Sequence, residues 1–519
     1  MSTAMPHAAT SSAMHSSSVA AAATAATVSD LFPAGSGQTA ADRIAFVRRA
    51  ADWMKTNECN AVQYGKLSNG FSVATMHLPH LTFGTYGVYI DAGSRYETRA
   101  NNGTAHFLEH LLFKGTKHFT KQEIDMLFES TGSHFNAYTS RDRTAYYVKC
   151  FNEHAEACIR CLSDILQYSH LRERDISDER GTIMAELNHV ESIVDEVIMD
   201  QMHAVAFDSS TSGLPLTILG FPDMIQRGID RDMMTKFTET HYTGPRMTLV
   251  SVGGMRHEEA MDIAERHFGK MPSVSNRPPL THRYVGGDSV MWNSRMLSSN
   301  LVWAIPICGA SHEDNYALQV AHCAIGGYQR DSHDVFVNLP RFNSRFVTEP
   351  ALDRIQPFYT PYEEVSLFGF NFVTVPGDGS SEAGGATSVS DHSYSTLQRV
   401  VDSNVAEWIR MAYEPLSQER LDDVKAIYLA AQTMLLDNST NLWEDLGRQT
   451  VHFGGRRRPD WEVAERILAV TAEDVMRVMK KYIVGSRPSV AFIGHPKCAA
   501  GYDALLDVAF RTSQPRATI

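Results

Sequence analysis

Apolar positions change their spacing several times along the 519 residues, and each change marks an element. Alternation of apolar and polar residues argues a strand, and recurrence at three and four argues a helix. "QYGKLSNGFSVATMHL" (63–78) holds two strand-like runs around Asn69-Gly70, a hairpin signal. "TFGTYGVYIDAG" (82–93) predicts a further strand, and "HFNAYTSRDRTAYYVKCF" (134–151) predicts strands around a turn. Helical spacing occurs in "HFLEHLLF" (106–113), at about 153–169, and as one long run over about 173–206. "GPRMTLVSVGG" (244–254) reads as a buried strand, followed by a helix that ends at "HFGKMPS" (267–273). Strands and helices mixed without regular alternation predict an α+β fold in layers.

The second part of the chain repeats the first. "LRERDISDERGTIMAEL" (171–187) lies without gaps over "LSQERLDDVKAIYLAAQ" (416–432), and "HYTGPRMTLVSVGG" (241–254) over "KYIVGSRPSVAFIG" (481–494). Two duplicated halves, each of mixed antiparallel sheet packed with helices, explain this economically. The boundaries read as a half over 58–273, a linker over 274–296 and a second half over 297–519. "PGDGSSEAGGATSVSD" (376–391) reads as a flexible insertion. Residues 1–57 read as a disordered N-terminal segment or possible presequence: residues 1–40 are rich in Ala, Ser and Thr without apolar periodicity, but with no Lys or Arg before Arg43 they make a poor transit peptide by composition. Within that segment "DRIAFVRRAADWMKT" (42–56) is amphipathic and carries Arg43, Arg48 and Arg49. It is either the working part of an import signal or an N-terminal helix.

Hydrophobic residues at 43% and charged residues at 21% give a globular composition. No apolar run is long enough to span a bilayer. The net charge of −13 argues against nucleic acid and favours a basic ligand. Seven scattered cysteines argue against a disulfide framework. Cys158 and Cys161 form a CxxC, but no second pair completes a zinc set, so both read as ordinary helix residues.

The candidate chemistry lies in "TAHFLEHLLFKGT" (104–116). His106 and His110 are four apart on a predicted helix and can reach one ion from one face, with Glu109 beside them. Hydrolytic zinc needs three protein ligands and an open position, and an adjacent carboxylate can take a proton from the attacking water. H-x-x-E-H is the inverted zinc-protease pattern. By itself the pattern also fits a helix that carries two histidines and an acid. In "DISDERGTIMAELNHVESIVDEVIMD" (175–200), Glu179 and Glu186 are seven apart and fall on one face to within about 20°. Glu196 and Asp200 are four apart, so their carboxylates can converge on one guanidinium.

These stretches, with "NAYTSRDRTAYYVKCF", "LPLTILG" and "HFGKMP" in the same order, resemble the mitochondrial processing peptidase β-subunit family, in the clan that includes pitrilysin and insulysin. The resemblance covers most of 61–273 and more thinly 296–495. It implies one zinc ion held by His106, His110 and Glu186, with Glu109 as general base and Glu179 supporting the site. It implies substrate contacts from Glu196 and Asp200 to an arginine two residues before the cleaved bond, from Phe113 to the residue just after that bond, and from Asn136 and Ala137 to peptide backbone. Phe113 reads equally as core. The implied activity is removal of basic N-terminal presequences in the mitochondrial matrix, by a heterodimer with an α-like subunit that carries a glycine-rich loop. No such loop is visible here, since Gly384-Gly385 falls in the insertion. The implied fold encloses a substrate chamber. In the second half His106, Glu109 and Glu186 meet Leu318, Ala321 and Ala431, and only His322 remains, so that half should bind no metal. Arg456–Arg458 resemble an arginine-rich element whose role stays open. The rivals are a core subunit of ubiquinol–cytochrome c reductase (respiratory complex III) and a single-chain oligopeptidase of the same clan.

Overall fold

The computed structural model describes residues 39–58, 60–274, 282–330, 349, 351–375, 391–453 and 455–513. Two six-stranded sheets organise them. The first contains β1 (Val62–Lys66), β2 (Ser72–His77), β3 (Phe83–Ile90), β4 (His134–Thr139), β5 (Thr144–Phe151) and β6 (Met247–Gly253), in the order β1-β2-β6-β3-β5-β4. The second contains β7 (Gly287–Trp292), β8 (Ser299–Cys308), β9 (Tyr328–Gln329), β10 (Leu352–Thr360), β11 (Val365–Thr374) and β12 (Ser489–Gly494), in the order β7-β12-β8-β11-β10-β9.

Laying β2 on β7, β6 on β12, β3 on β8, β5 on β11 and β4 on β10 preserves order and direction. β2 with β6 and β7 with β12 are parallel. The other neighbouring pairs are antiparallel. The duplication is therefore architectural. The predicted hairpin joins β1 to β2, with Gly70 at φ 88 as the turn requires. The expected linker over 274–296 is corrected by β7, the counterpart of β2. As an edge strand it leaves Val290 and Met291 exposed, so its sequence lacks the pattern of a buried strand. Residues 275–281 and most of the 376–391 insertion lie outside the described residues.

The helices that position the site are α1 (Ala40–Thr56), α2 (Thr104–Leu111), α3 (Glu173–Val190), α4 (Val194–Ala206), α5 (Asp314–Ile325), α6 (Gln418–Leu435), α7 (Ser439–His452) and α8 (Asp460–Ala469). The single long helix expected over 173–206 is two. The chain breaks at Glu191–Ile193, where Ile193 is extended at φ −92, ψ 106. The reason is that the two pieces bury against different halves. Ile183 and Leu187 of α3 join the first core. Ile198, Met202 and Ala206 of α4 pack with Val302, Ala304, Ala491 and Ile493 of the second sheet.

The second half reciprocates. Leu442, Trp443 and Leu446 of α7 pack on Ala74, Val250 and Val252 of the first sheet. The Trp443 indole donates to the Val250 carbonyl at 3.0 Å and stacks on Tyr89 at 4.5 Å. Gly447 permits this approach, because a Cβ there would lie 2.0 Å from the Tyr89 ring. Each sheet is thus covered on one face by a helix from the other half.

Residues 40–56, which fall in the 1–57 segment and whose sequence reads as either an import signal or an N-terminal helix, form helix α1. It starts with a Thr39–Asp42 capping box and buries Ile44 and Ala51. It lies against α6 and α8, with Arg43 paired to Asp423 and Lys55 to Glu465. The rest of the expected disordered segment, residues 1–38, lies outside the described residues.

Candidate metal centre

Helix α2 is preceded by Gly103 at its N-cap, which has φ 95 and offers no capping side chain. Glu97 supplies the missing acceptor from outside the helix. Its Oε2 accepts from the Gly103 N–H at 2.8 Å and the Asn102 amide at 2.9 Å, and its Oε1 accepts from the Ala105 N–H at 2.8 Å. A carboxylate there also suits the positive end of the helix dipole. Burial pushes Glu97 up to about 7, against the pull of those N–H donors. Sequence reasoning missed Glu97. Its only signal was an acid shortly before a helix that starts on glycine.

His106 and His110 stand edge to face on α2, their ring centroids 4.8 Å apart. Helix α3 crosses them. Glu186 places Oε2 3.1 Å from His110 Nε2 and Oε1 3.7 Å from His106 Nε2. One donor atom from each of the three lies within 4.8 Å of the others. Two turns earlier on α3, Glu179 Oε1 lies 3.1 Å from His110 Nδ1, and its Oε2 pairs with Lys114. Glu179 thereby holds the proton of His110 on Nδ1 and leaves Nε2 facing Glu186.

The electrostatics show a centre short of positive charge. Burial opposes ionisation of Glu186, yet the two imidazoles hold its carboxyl far below the usual range. Glu179 is likewise lowered, by His110 and Lys114, against burial. Burial disfavours a charged His110, but Glu179 and Glu186 outweigh it and push the ring up to about 9. Two nitrogens and a carboxylate, converging and largely buried, fit a zinc ion with its fourth position open. Glu109 points from the same turn, and its Oε2 accepts from Thr139 Oγ1 at 2.7 Å, at the end of β4. Thr139 and Lys114 were also missed. They are ordinary polar residues until the strand and helix ends meet.

The other expected residues divide. Phe113 is half-buried, 4.3 Å from the Phe135 ring and 5.9 Å from that of Tyr146, packed against the first core. Asn136 and Ala137 lie on β4, an edge strand that pairs with β5. The Ala137 N–H donates to the Asn136 side chain at 3.0 Å. Glu196 and Asp200 lie on α4 and not, as expected, on the helix that carries Glu186. Asp200 already receives a guanidinium from within the chain, that of Arg141.

In the second half Leu318 and Ala321 are fully buried on α5. His322 is a core residue against Phe368 at 4.9 Å, and burial lowers it to about 4. Among the described residues, His106, His110 and Glu186 are the one group of His, Cys, Asp and Glu able to hold a metal. Arg457 is buried between Asp445 and Asp460, and Arg458 bonds Tyr316 and Ser311, so two of the three adjacent arginines tie the loop before α8 to the fold. Cys158 and Cys161 are buried and free.

A His-His-Glu set beside a carboxylate, on one half only of a duplicated α+β fold, is the layout of a hydrolytic metal centre. The chain belongs to the insulinase family of peptidases (peptidase family M16): the insulinase model matches residues 72–218, and the model of the family's inactive domain matches 228–428. It is similar to the β subunit of the mitochondrial-processing peptidase from Caenorhabditis elegans, 35% identical over 437 residues, which covers 82% of this chain and 88% of that one. It is 34% identical over 419 residues to the Homo sapiens β subunit, covering 79% and 80%. A ubiquinol-cytochrome-c reductase complex core protein I from Euglena gracilis is 36% identical over 438 residues, covering 81% and 85%. Among solved structures, a chain of complex III2 from Candida albicans has a TM-score of 0.73 at 16% identity, covering 86% and 100%. A protease from Helicobacter pylori has a TM-score of 0.70 at 19% identity, covering 84% and 99%. At those identities the likeness is one of fold.

Proposed function

We propose that this chain is a zinc metalloendopeptidase of the mitochondrial-processing β type, which removes basic N-terminal presequences as the catalytic member of a heterodimer in the mitochondrial matrix. One observation carries the reading. The first half brings His106, His110 and Glu186 together, with Glu109 on the same short helix as the histidines, while the second half has Leu318, Ala321 and Ala431 at the matching positions. One zinc ion would be held by His106 Nε2, His110 Nε2 and Glu186. When bound, it supplies Lewis acidity toward a peptide carbonyl and an attacking water.

The chain's own groups do the rest. Glu109 takes the water's proton and returns it to the leaving amine, as a carboxylate within reach of both can. Thr139 keeps one Glu109 oxygen occupied and aims the other. Glu179 fixes the His110 tautomer. The free edge of β4 at Asn136 and Ala137 receives the substrate backbone as an added strand, Phe113 borders the residue after the cleaved bond, and the acids of α4 attract a basic side chain. The partner is an α-like subunit with a glycine-rich loop.

The relatedness to core protein I of Euglena gracilis favours a second, compatible reading, a subunit that is also built into respiratory complex III. The test is hydrolysis of a basic presequence peptide by this chain with its co-purifying partner. The wild type should cleave it. Glu109→Gln should lower kcat at least about a thousandfold while the protein keeps its zinc. Equal rates in the two would remove the peptidase reading and leave the structural one.

A further inference from the structure

Asp200 does not present a bare carboxylate. Its Oδ1 accepts from Arg141 Nη2. Arg141 is 5% exposed, and its Nε donates to the Leu214 carbonyl at 3.1 Å. The turn that carries it between β4 and β5 is tightly held. The Ser140 N–H donates to the Arg143 carbonyl at 2.8 Å, and the Arg95 N–H donates to the Arg141 carbonyl at 2.7 Å. A Cβ on Gly93 would lie 2.4 Å from the Ser140 carbonyl oxygen, so the turn sits hard against that glycine.

The same turn reaches the candidate base. Thr139, two residues before Arg141, donates to Glu109. The Asp200 contact is therefore tied through this turn to the strand end that orients Glu109.

Glu196 differs from its neighbour. It is half-buried on the turn of α4 before Asp200, and its side chain has no hydrogen bond or ion pair among the described residues. Burial, then Asp200 and Asp195, push its carboxyl up, while Arg141 pulls it down. A carboxylate beside like charges and without its own cation is the one that a ligand's cation relieves most.

We propose that Arg141 is a specificity-determining residue: this internal guanidinium holds Asp200 and reduces the net charge of the acid pair, so that Glu196 is the principal carboxylate receiving a substrate's basic side chain. The inference rests on the peptidase reading above and deepens it. A pair left at a net charge of minus one recognises one guanidinium without retaining the product strongly.

The test uses the full chain with its co-purifying partner and two peptides that differ only by arginine or uncharged citrulline, two residues before the cleaved bond. The measured quantity is the ratio of kcat/KM for arginine over citrulline. Glu196→Gln should lower that ratio about tenfold, and Asp200→Asn less than about threefold. In an Arg141→Gln background, Asp200→Asn should become as damaging as Glu196→Gln, because the released Asp200 then takes a share of the substrate cation. Equal effects of the two acid variants beside wild-type Arg141 would overturn the proposal, as would an Asp200→Asn effect unchanged by Arg141→Gln. Melting temperature and zinc content check the fold. If Arg141→Gln does not fold, the comparison of Glu196→Gln with Asp200→Asn decides alone. A wild type that cleaves neither peptide removes the peptidase reading, and one that cleaves both equally removes the basic-substrate reading. Either result removes the role of Arg141 with it.

Discussion

Glu97 shows how a residue without a motif can govern one that has it. It closes the open start of α2 and thereby fixes where His106, Glu109 and His110 point. Its folded pKa of about 7 lies above the ordinary 4.5, so folding binds a proton. The stabilising contribution is then fully present below about 4.5 and is lost as pH rises through about 7, an amount on the order of 3 kcal/mol at most. In the zinc-free protein, the melting temperature of the wild type should fall relative to that of Glu97→Gln as pH is raised across this window. A constant difference would place the proton elsewhere. Glu179 contacts His110 and would act on a bound zinc ion through it. Glu179→Gln should weaken zinc binding about ten- to a hundredfold in chelator competition, with the fold intact. The two histidines were legible because i and i+4 share a helix face. Glu97, Lys114 and Thr139 were not, because nothing in their spacing says which strand or helix end they will meet.

At the scale of elements, α3 and α4 are continuous in helical pattern and separate in space. Periodicity reports which residues are apolar on a face, but not which of two sheets that face will meet. The exchange of α4 and α7 between the halves decided the break at Glu191–Ile193. Trp443 anchors the α7 side of that exchange. Trp443→Ala should cost about 3–5 kcal/mol, read as a lower denaturation midpoint. A loss below about 1 kcal/mol would mean that α7 holds by other contacts. Helix α1 gives a second check. A chain that begins at Ala61 should melt several degrees below one that begins at Thr39, since each kcal/mol is worth about 2–4 °C in a domain of about 150–250 residues.

For the whole molecule, the duplicated fold holds one His-His-Glu group and not two among the described residues. Zinc analysis should find about one ion per chain, and His322→Leu should leave that stoichiometry unchanged, because His322 packs against Phe368 inside the second core. A second ion lost with His322 would contradict the buried reading. The halves also meet through charge. Arg95 and Arg143 of the first half are buried against Glu364 and Glu444 of the second. A buried arginine left without its carboxylate is costly, so these contacts resist separation of the halves as well as the apolar packing of α4 and α7 does.

The sequence by itself determined the α+β class, the repeat, the hairpin at Asn69-Gly70, the pairing of β4 with β5, and a His-Glu-His face with Glu179 and Glu186 on one side of a second helix. All of these depend on local period or on spacing within one element. Only the tertiary structure decided that Glu186 meets the imidazoles, that Glu97 caps their helix, that 287–292 is a strand, that residues 40–56 are built into the second half, and that Arg141 stands at Asp200. Each of these is a contact between elements distant in sequence, fixed by which buried faces and charges find partners when the two sheets close on each other.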